Sequence, residues 1–250
     1  MKDKHSQESK LKAVVLAAGL GSRINEITKE IPKTMIEING KCIFERILDN
    51  LVENGIFDVV FIIGYREDLL RPLLEKSCDN LGMNLEIIVN DRYATTNTMY
   101  SLWMARDIVR SNFLFLHGDL IFSPEMLRKF INSSEGNSIL VDQNYPNDWE
   151  DAMKIISSNS SLKYMSKSIT LNEMDGIAIG MYKFNKEGRD ELYQVMQLLV
   201  DRGATQNWVS EAINIMSKKI NIYPEISYLH DWADVDNLVD LESANKLFRD

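Results

Sequence analysis

Short, unbroken apolar runs alternate with longer stretches of helical periodicity through the first half of the chain. Ala13-Val14-Val15-Leu16-Ala17 holds no polar residue and centres on valines, which predicts a strand buried on both faces of a largely parallel sheet. Residues 42–54 follow with apolar positions at 43, 44, 47, 48, 51 and 52, a helical spacing closed by Gly55. Asp58 to Ile63 (DVVFII) predicts a second buried strand, ended by Gly64-Tyr65. A helix around Glu67 to Ser77 leads to a third strand at Leu85 to Val89, and a helix over Asn97 to Val109 leads to a fourth at Phe113 to Leu116. Such alternation predicts a parallel-type sheet covered by helices on both faces. Ligands gather at the carboxyl ends of strands in sheets of this kind. Those ends carry the segment around Gly19 and the tripeptide His117-Gly118-Asp119.

The second half is less regular. Ser138 to Asp142 predicts a strand, and Gln143 to Glu150 is polar and rich in turn formers. Ala152 to Ile156 and Leu162 to Ser166 can pair as strands, and Ile177 to Phe184 reads as a further one. Helices are expected over Glu187 to Arg202, Trp208 to Lys218 and Val235 to Phe248. Without internal repeats or a Pro/Gly/Ser-rich linker, the reading is a flexible tail at 1–10 and one domain over 11–250. Its regular part covers 11–140 and its less regular part 141–250.

Composition narrows the function classes. A chain of 250 residues that is 45% hydrophobic and 26% charged suits an ordinary globule with a sizeable core. A formal charge of -9 argues against a general nucleic-acid binder but not against a local cationic pocket for one nucleotide. Cys42 and Cys78 lack metal-ligand spacing and read as idle thiols of a reducing compartment. The opening MKDKHSQESK has no apolar core of a signal peptide, and no apolar run approaches the ~18 residues of a membrane span. A cytoplasmic enzyme with no membrane or nucleic-acid partner is the expectation.

The chemistry concentrates in Lys12 to Gly40. The first strand breaks into Ala18-Gly19-Leu20-Gly21-Ser22-Arg23, small residues closed by an arginine. Small residues let main-chain N–H groups converge on an anion, and Arg23 adds a fork of donors. Pro32-Lys33 then brings a second cation on stiffened backbone. This is not the dinucleotide fingerprint, whose third glycine would fall at Ile24, nor a Walker A loop, which needs Gly-Lys-Ser/Thr. A Gly-x-Gly alone marks a tight turn as readily as a phosphate site. The longer composite (strand, LAAGLGSR, then IPKTMIEINGK) resembles the signature of nucleotidyltransferases that couple an NTP to a phosphorylated sugar or alcohol. It is carried here by Leu16, Ala17, Ala18, Gly19, Gly21, Arg23, Pro32 and Lys33, with Ser22 in the same phosphate-binding loop.

Nucleotidyl transfer needs phosphate charge neutralised and pyrophosphate expulsion stabilised, commonly by Mg²⁺ held on one or two carboxylates. Asp119, at the end of the FLFL strand, is one candidate, although an Asp there also serves turns and helix caps. Asp234 is the other, and its alternative, shared with Asp236, is to cap the last helix. In the family resembled, one Asp follows the central strand and a second precedes the last helix, places that Asp119 and Asp234 match.

The segment Asn90-Asp91-Arg92-Tyr93-Ala94-Thr95-Thr96-Asn97-Thr98-Met99-Tyr100-Ser101-Leu102 is similar to one in bacterial choline-phosphate cytidylyltransferases. Relatives of those enzymes act on aminoethylphosphonate and inositol phosphate. The resemblance implies that Thr96 and Asn97 contact the pyrimidine base; either could instead be only a helix N-cap. It also implies that Lys154 and Lys167 meet the acceptor phosphate, against the default of solvated surface lysines. Trp149 occupies the place of an aromatic in the choline-phosphate enzymes. The resemblance implies a nucleotide-binding half at 11–140 and an acceptor-binding half at 141–250; Trp149, Tyr182, Trp208 and Trp232 lie in the latter, where aromatic faces could hold a cationic head group or simply fill the core.

The resemblance runs from about Leu11 to Ala244. It implies a single-domain, Rossmann-like α/β fold with a central mixed, mostly parallel sheet flanked by helices. The activity implied is a Mg²⁺-dependent transfer of CMP from CTP to a small phosphorylated or phosphonylated alcohol or amine, phosphocholine-like. A homodimer is compatible with it. The alternative is a sugar-1-phosphate nucleotidyltransferase using UTP or dTTP, which usually carries a Gln/Gly-rich base segment that this chain lacks. A glycosyltransferase would need Asp-x-Asp where His117-Gly118-Asp119 stands, and a non-catalytic sensor would have lost Lys33 or one of the aspartates.

Overall fold

The first apolar run becomes the pivot of the sheet in a computed structural model that describes residues 11–133, 135–144 and 151–249. The expected tail at 1–10 and Trp149 lie outside the described residues. The first half of the chain runs β1 (Lys12–Ala17), α1 (Asn25–Thr28), the short hairpin β2 (Glu37–Ile38) and β3 (Lys41–Cys42), then α2 (Ile43–Glu53) and β4 (Asp58–Ile63). It continues with α3 (Glu67–Leu81), β5 (Asn84–Val89), α4 (Thr98–Met104) and β6 (Phe113–His117). The remainder is β7 (Leu120–Phe122), α5 (Pro124–Ile131), β8 (Asn137–Asp142), β9 (Lys154–Ser158), β10 (Ser161–Ser166), β11 (Gly176–Phe184), α6 (Lys186–Asp201), α7 (Val209–Met216), β12 (Tyr223–Ser227), β13 (Trp232–Asp234) and α8 (Leu238–Leu247).

Among the described residues a nine-stranded mixed sheet runs β10-β9-β11-β6-β1-β4-β5, with β8 beside β11 and β12 beside β8. The strands β5, β4, β1 and β6 are parallel, in a register that sets Val14 against both Val60 and Phe115. β11 joins β6 antiparallel and turns the sheet from its parallel to its mixed half. Because side chains alternate along a strand, β1 feeds two cores. Ala13, Val15 and Ala17 pack with Phe61 and Leu114 on one face, together with Phe44 and Leu48 of α2. Val14 packs with Val60, Phe113 and Phe115 on the other, under Met99 of α4, Met196 of α6 and Ile213 of α7. Each large side chain so buried stabilises the fold by ~1.5–3 kcal/mol.

Three expected features differ. The helix expected over 97–109 ends at Met104. Ala105 and Val109 still reach the core, through tighter turns in which the Ala105 N–H bonds the carbonyl of Leu102 and that of Ile108 bonds Ala105. The strand expected at 152–156 is shifted to Lys154–Ser158. The last helix starts at Leu238 and not at Val235, because Asn237 is its cap, with its side chain accepting from the N–H groups of Val239 and Asp240.

Candidate active site

The loop after β1 takes its shape from one obligatory glycine. Gly21 has φ +63°, and a Cβ there would lie 2.9 Å from Thr28 Cγ2. Thr28 occupies that place because its hydroxyl donates to the carbonyls of Gly21 (2.8 Å) and Ile24 (3.1 Å). Gly19 is different: a Cβ there would meet no atom within 4 Å. Its missing side chain leaves room in a cavity of about 340 Å³ whose wall includes Leu16, Ala17, Ala18, Gly19, Gly21, Ser22 and Arg23. Arg66 reaches across from the start of α3 to donate to the carbonyl of Glu30 (2.7 Å), tying down the far end of the loop.

Lys33 stands in this cavity on a short turn after Pro32, among three carboxylates. Its Nζ lies 2.6 Å from Asp119 Oδ2 and 3.7 Å from Asp234 Oδ1, and it also donates to Asp236. Arg23 pairs with Asp236 (2.6 Å) and with Asp151, whose other oxygen accepts from Lys167 (2.7 Å). Burial alone would lower the pKa of Lys33; the charges of Asp119, Asp234 and Asp236 outweigh it and hold the ammonium well above its ordinary value. Burial would raise Asp119, but Lys33 and His117 bring it down to about 2. For Asp234, burial and the charge of Asp119 win over Lys33, and its pKa stands well above the usual carboxylate range.

The cluster can take a further cation. One oxygen from each of Asp119, Asp234 and Asp236 lies within 4.8 Å of the others. Asp234 Oδ1 is buried without a hydrogen-bond donor, an unmet acceptor of the sort that a hard divalent ion satisfies. The residues present fit Mg²⁺.

Beyond β5, Asn90 holds the next segment as a preformed turn. Its amide donates to Thr96 Oγ1 (3.1 Å) and Ser101 Oγ (3.0 Å), and its carbonyl oxygen accepts from the Arg92 N–H (3.0 Å). Thr96 passes its own proton to the Arg92 carbonyl (2.9 Å). Asn97 is the N-cap of α4, accepting from the Thr98 N–H (2.8 Å). Both residues also line the cavity, with Tyr93, so capping and ligand contact are compatible roles here.

The opposite wall belongs to the second half of the chain. Lys167 lines it, with its ammonium 4.8 Å from the centroid of Trp208. Tyr182 lies buried against Phe115, rings 4.8 Å apart, and Trp232 shows the cavity part of an otherwise buried ring. Gly180 takes φ +86° where the pairing of β11 with β8 slips, and a Cβ there would sit 3.1 Å from the His117 ring. His117 thus reaches the cavity floor, and burial keeps its imidazole neutral in spite of Asp119.

Lys154 is not placed in the cavity wall. It is buried, and its ammonium donates to the carbonyl of Lys167 (2.8 Å), so it holds the backbone of the lysine that does face the cavity. Alternation along the strand puts Lys154 inward, but inward there means against the turn after β10. Asp236, on the sequence an alternative cap, joins the cluster instead and leaves capping to Asn237, while Asp151, on the sequence an acidic neighbour suited to a cationic head group, pairs with Arg23 and Lys167.

A family model described as the MobA-like NTP transferase domain matches residues 13–165. The chain belongs to that family. It is a nucleotidyltransferase, and the matched span holds Arg23, Lys33 and Asp119 but not Asp234. The CTP:phosphoglutamine cytidylyltransferase of Campylobacter jejuni is 25% identical, over 93% of this chain and 98% of that one. The choline-phosphate cytidylyltransferase of Streptococcus pneumoniae is 30% identical over 56% of this chain and 57% of its own length. The structure of the inositol-1-phosphate CTP transferase from T. maritima superposes with a TM-score of 0.80, covering 95% of each chain at 20% identity, which is a likeness of fold. The MobA-like domain is thus continued by some 85 further residues, which supply Lys167, Trp208, Trp232 and two carboxylates of the cluster.

Proposed function

We propose that this nucleotidyltransferase is a Mg²⁺-dependent cytidylyltransferase that joins CMP from CTP to a small phosphorylated or phosphonylated alcohol or amine. One observation carries the reading: the loop cations, the three-carboxylate cluster and Lys167 face a single cavity between the nucleotide and acceptor halves. The CTP:phosphoglutamine and choline-phosphate cytidylyltransferases named above support it.

The acceptor phosphate or phosphonate oxygen attacks the α-phosphorus of CTP. A new P–O bond forms as the bond to the bridging oxygen breaks, and its electron pair leaves with pyrophosphate. The attacking oxygen is already anionic, so no side chain has to remove a proton. Arg23 and Lys33, once released from their carboxylate partners, hold the triphosphate, and Lys167 steadies the incoming anion. Asp119 and Asp234, with Asp236 beside them, would hold Mg²⁺, which supplies charge neutralisation at the phosphates. The wall of Ala17, Ala18 and Gly19 keeps side chains away from the nucleotide, and the turn at Thr96 and Asn97 faces the base.

The test is pyrophosphate release with Mg²⁺, crossing CTP, UTP, ATP and dTTP against phosphocholine, phosphoethanolamine, 2-aminoethylphosphonate, phosphoglutamine, inositol-1-phosphate, glycerol phosphate and glucose-1-phosphate. Release confined to CTP with an amine-bearing acceptor is expected. Turnover of UTP or dTTP with glucose-1-phosphate would replace this reading with a sugar nucleotidyltransferase.

A further inference from the structure

A fully buried carboxylate stands outside the proposed metal cluster. Asp142, at the end of β8, is the only acidic residue among the described ones to be fully buried. Burying such a charge is unfavourable unless donors surround it, and Asp142 has three. Its Oδ2 accepts from Trp232 Nε1 (2.8 Å) and from His230 Nδ1 (3.2 Å), and its Oδ1 accepts from the Asn144 N–H (2.8 Å).

Trp232 lies outside the main sheet. β13 is three residues long and, among the described residues, pairs only with β7, Trp232 against Phe122 and Asp234 against Leu120. Residues two apart on a strand face the same side, so Trp232 and Asp234 both turn toward the cavity. Core packing holds the faces of the indole, and its N–H edge is fixed by a hydrogen bond. Asp142 grips it from another strand, 90 residues away in sequence. The arrangement leaves the indole with one donor, already spent, and presents only ring surface to a ligand.

We propose that Asp142 is a positioning residue: through its hydrogen bond it locks the Trp232 ring in the acceptor wall and so sets which acceptors fit. The word acceptor rests on the function proposed above; the lock itself does not. Asp142 touches no substrate, and it acts only through Trp232.

Two measurements test it. The first needs no turnover: in protein labelled with ¹⁵N at tryptophan, the Trp232 indole N–H, assigned by its loss in W232F, should exchange slowly with solvent. D142N should speed that exchange at least tenfold while the other indoles keep their rates. Unchanged protection of the Trp232 indole in D142N overturns the lock. The second is kinetic, on whichever acceptor the wild type uses. D142N is expected to raise the acceptor KM about tenfold, the worth of one hydrogen bond to a charge, with the CTP KM within about twofold. W232F keeps the ring without the donor and should do the same, and the double variant should be no worse than either single one. Multiplying effects, or equal rises in both KM values, overturn the proposal in favour of a general structural role. Should the wild type turn over no acceptor in the panel, the cytidylyltransferase reading fails, and the exchange measurement still decides the lock.

Discussion

The two halves of the cavity are built by different means. The nucleotide wall is local: β1, its loop and the turn after β5 take their shape from hydrogen bonds between near neighbours, such as Thr28 to Gly21 and Asn90 to Thr96. Backbone and small residues dominate it, and its internal hydrogen bonds are made without a ligand. The acceptor wall and the carboxylate cluster are assembled from distant segments: Lys33 meets Asp236 across 203 residues, and Asp142 meets Trp232 across 90. Charge and aromatic surface dominate there. A site that must accept a common nucleotide can be written into one stretch of chain, whereas one that selects an acceptor draws on whatever the fold brings near.

The junction of the halves should give the largest effects. Lys33→Ala removes the cation shared by three carboxylates, and pyrophosphate release should fall by ~10²–10³-fold, the scale of losing one preorganised electrostatic contact. The metal-free variant should also melt several degrees lower, because Asp119, Asp234 and Asp236 are left facing one another, and Mg²⁺ should recover much of that loss in a thermal melt.

Asp234→Asn separates stability from activity at the same place. The folded-state pKa of Asp234 is raised, so its charge opposes folding at neutral pH, and the penalty fades as pH falls toward the ordinary carboxylate value of 3.8. Without metal, D234N should therefore resist urea better than the wild type at pH 7, with the gap closing on acidification. Asp119 has the opposite sign: its pKa of about 2 gives stability that is complete above 3.8 and lost only as pH falls from there toward 2. Turnover by D234N should drop about 10²-fold whatever its stability. A variant less stable than the wild type at pH 7 would contradict the charge balance described here.

What was readable in the sequence follows the same division. Asp58–Ile63 is a strand with the bounds that its apolar run predicts, and β1 exceeds its run only by Lys12, because strands buried on both faces leave no ambiguity of period. Asp119 stands out because it follows a strand end, where the sheet places ligands, and Arg23 and Lys33 because they belong to the composite that follows β1. β7 and β13 have three residues each, too few to show any period, and they exist because they pair with each other. The helix α5 had legible signals, Ser123 as cap with Pro124 and Glu125 in the first turn. Asp142 ends a readable strand, but its partners His230 and Trp232 are set by topology alone. Lys154 shows the limit most clearly, since strand alternation says which way it points but not that a carbonyl is waiting there.

The lysines test whether the acceptor wall is truly assembled at a distance. Lys167→Ala should raise the acceptor KM about tenfold, through loss of a charge-assisted contact, and leave the melting temperature nearly unchanged, since the side chain is partly exposed. Lys154→Met should do the reverse in order of cause. Removing the buried donor to the Lys167 carbonyl should cost about 1–3 kcal/mol in urea unfolding, and the acceptor KM should rise only as Lys167 loses its place. Equal stability losses in the two variants would show that the wall is a single packed unit.

The smallest expected effects lie in the nucleotide wall, where two glycines two residues apart should respond differently. Gly21→Ala forces a Cβ into left-handed backbone and against Thr28, which should cost about 1–2 kcal/mol of stability in urea unfolding. The CTP KM should rise with it, because the loop carrying Ser22 and Arg23 is displaced. At Gly19 the backbone needs no glycine and the added methyl meets no protein atom within 4 Å, so Gly19→Ala should leave stability within about 0.5 kcal/mol of the wild type. Its methyl instead takes space from the cavity, and the CTP KM should rise severalfold with no change in the acceptor KM. If Gly19→Ala alters stability and not CTP binding, Gly19 serves the fold and the nucleotide lies elsewhere along the cavity. The two glycines then separate what the loop needs to hold its shape from what it keeps open for a ligand.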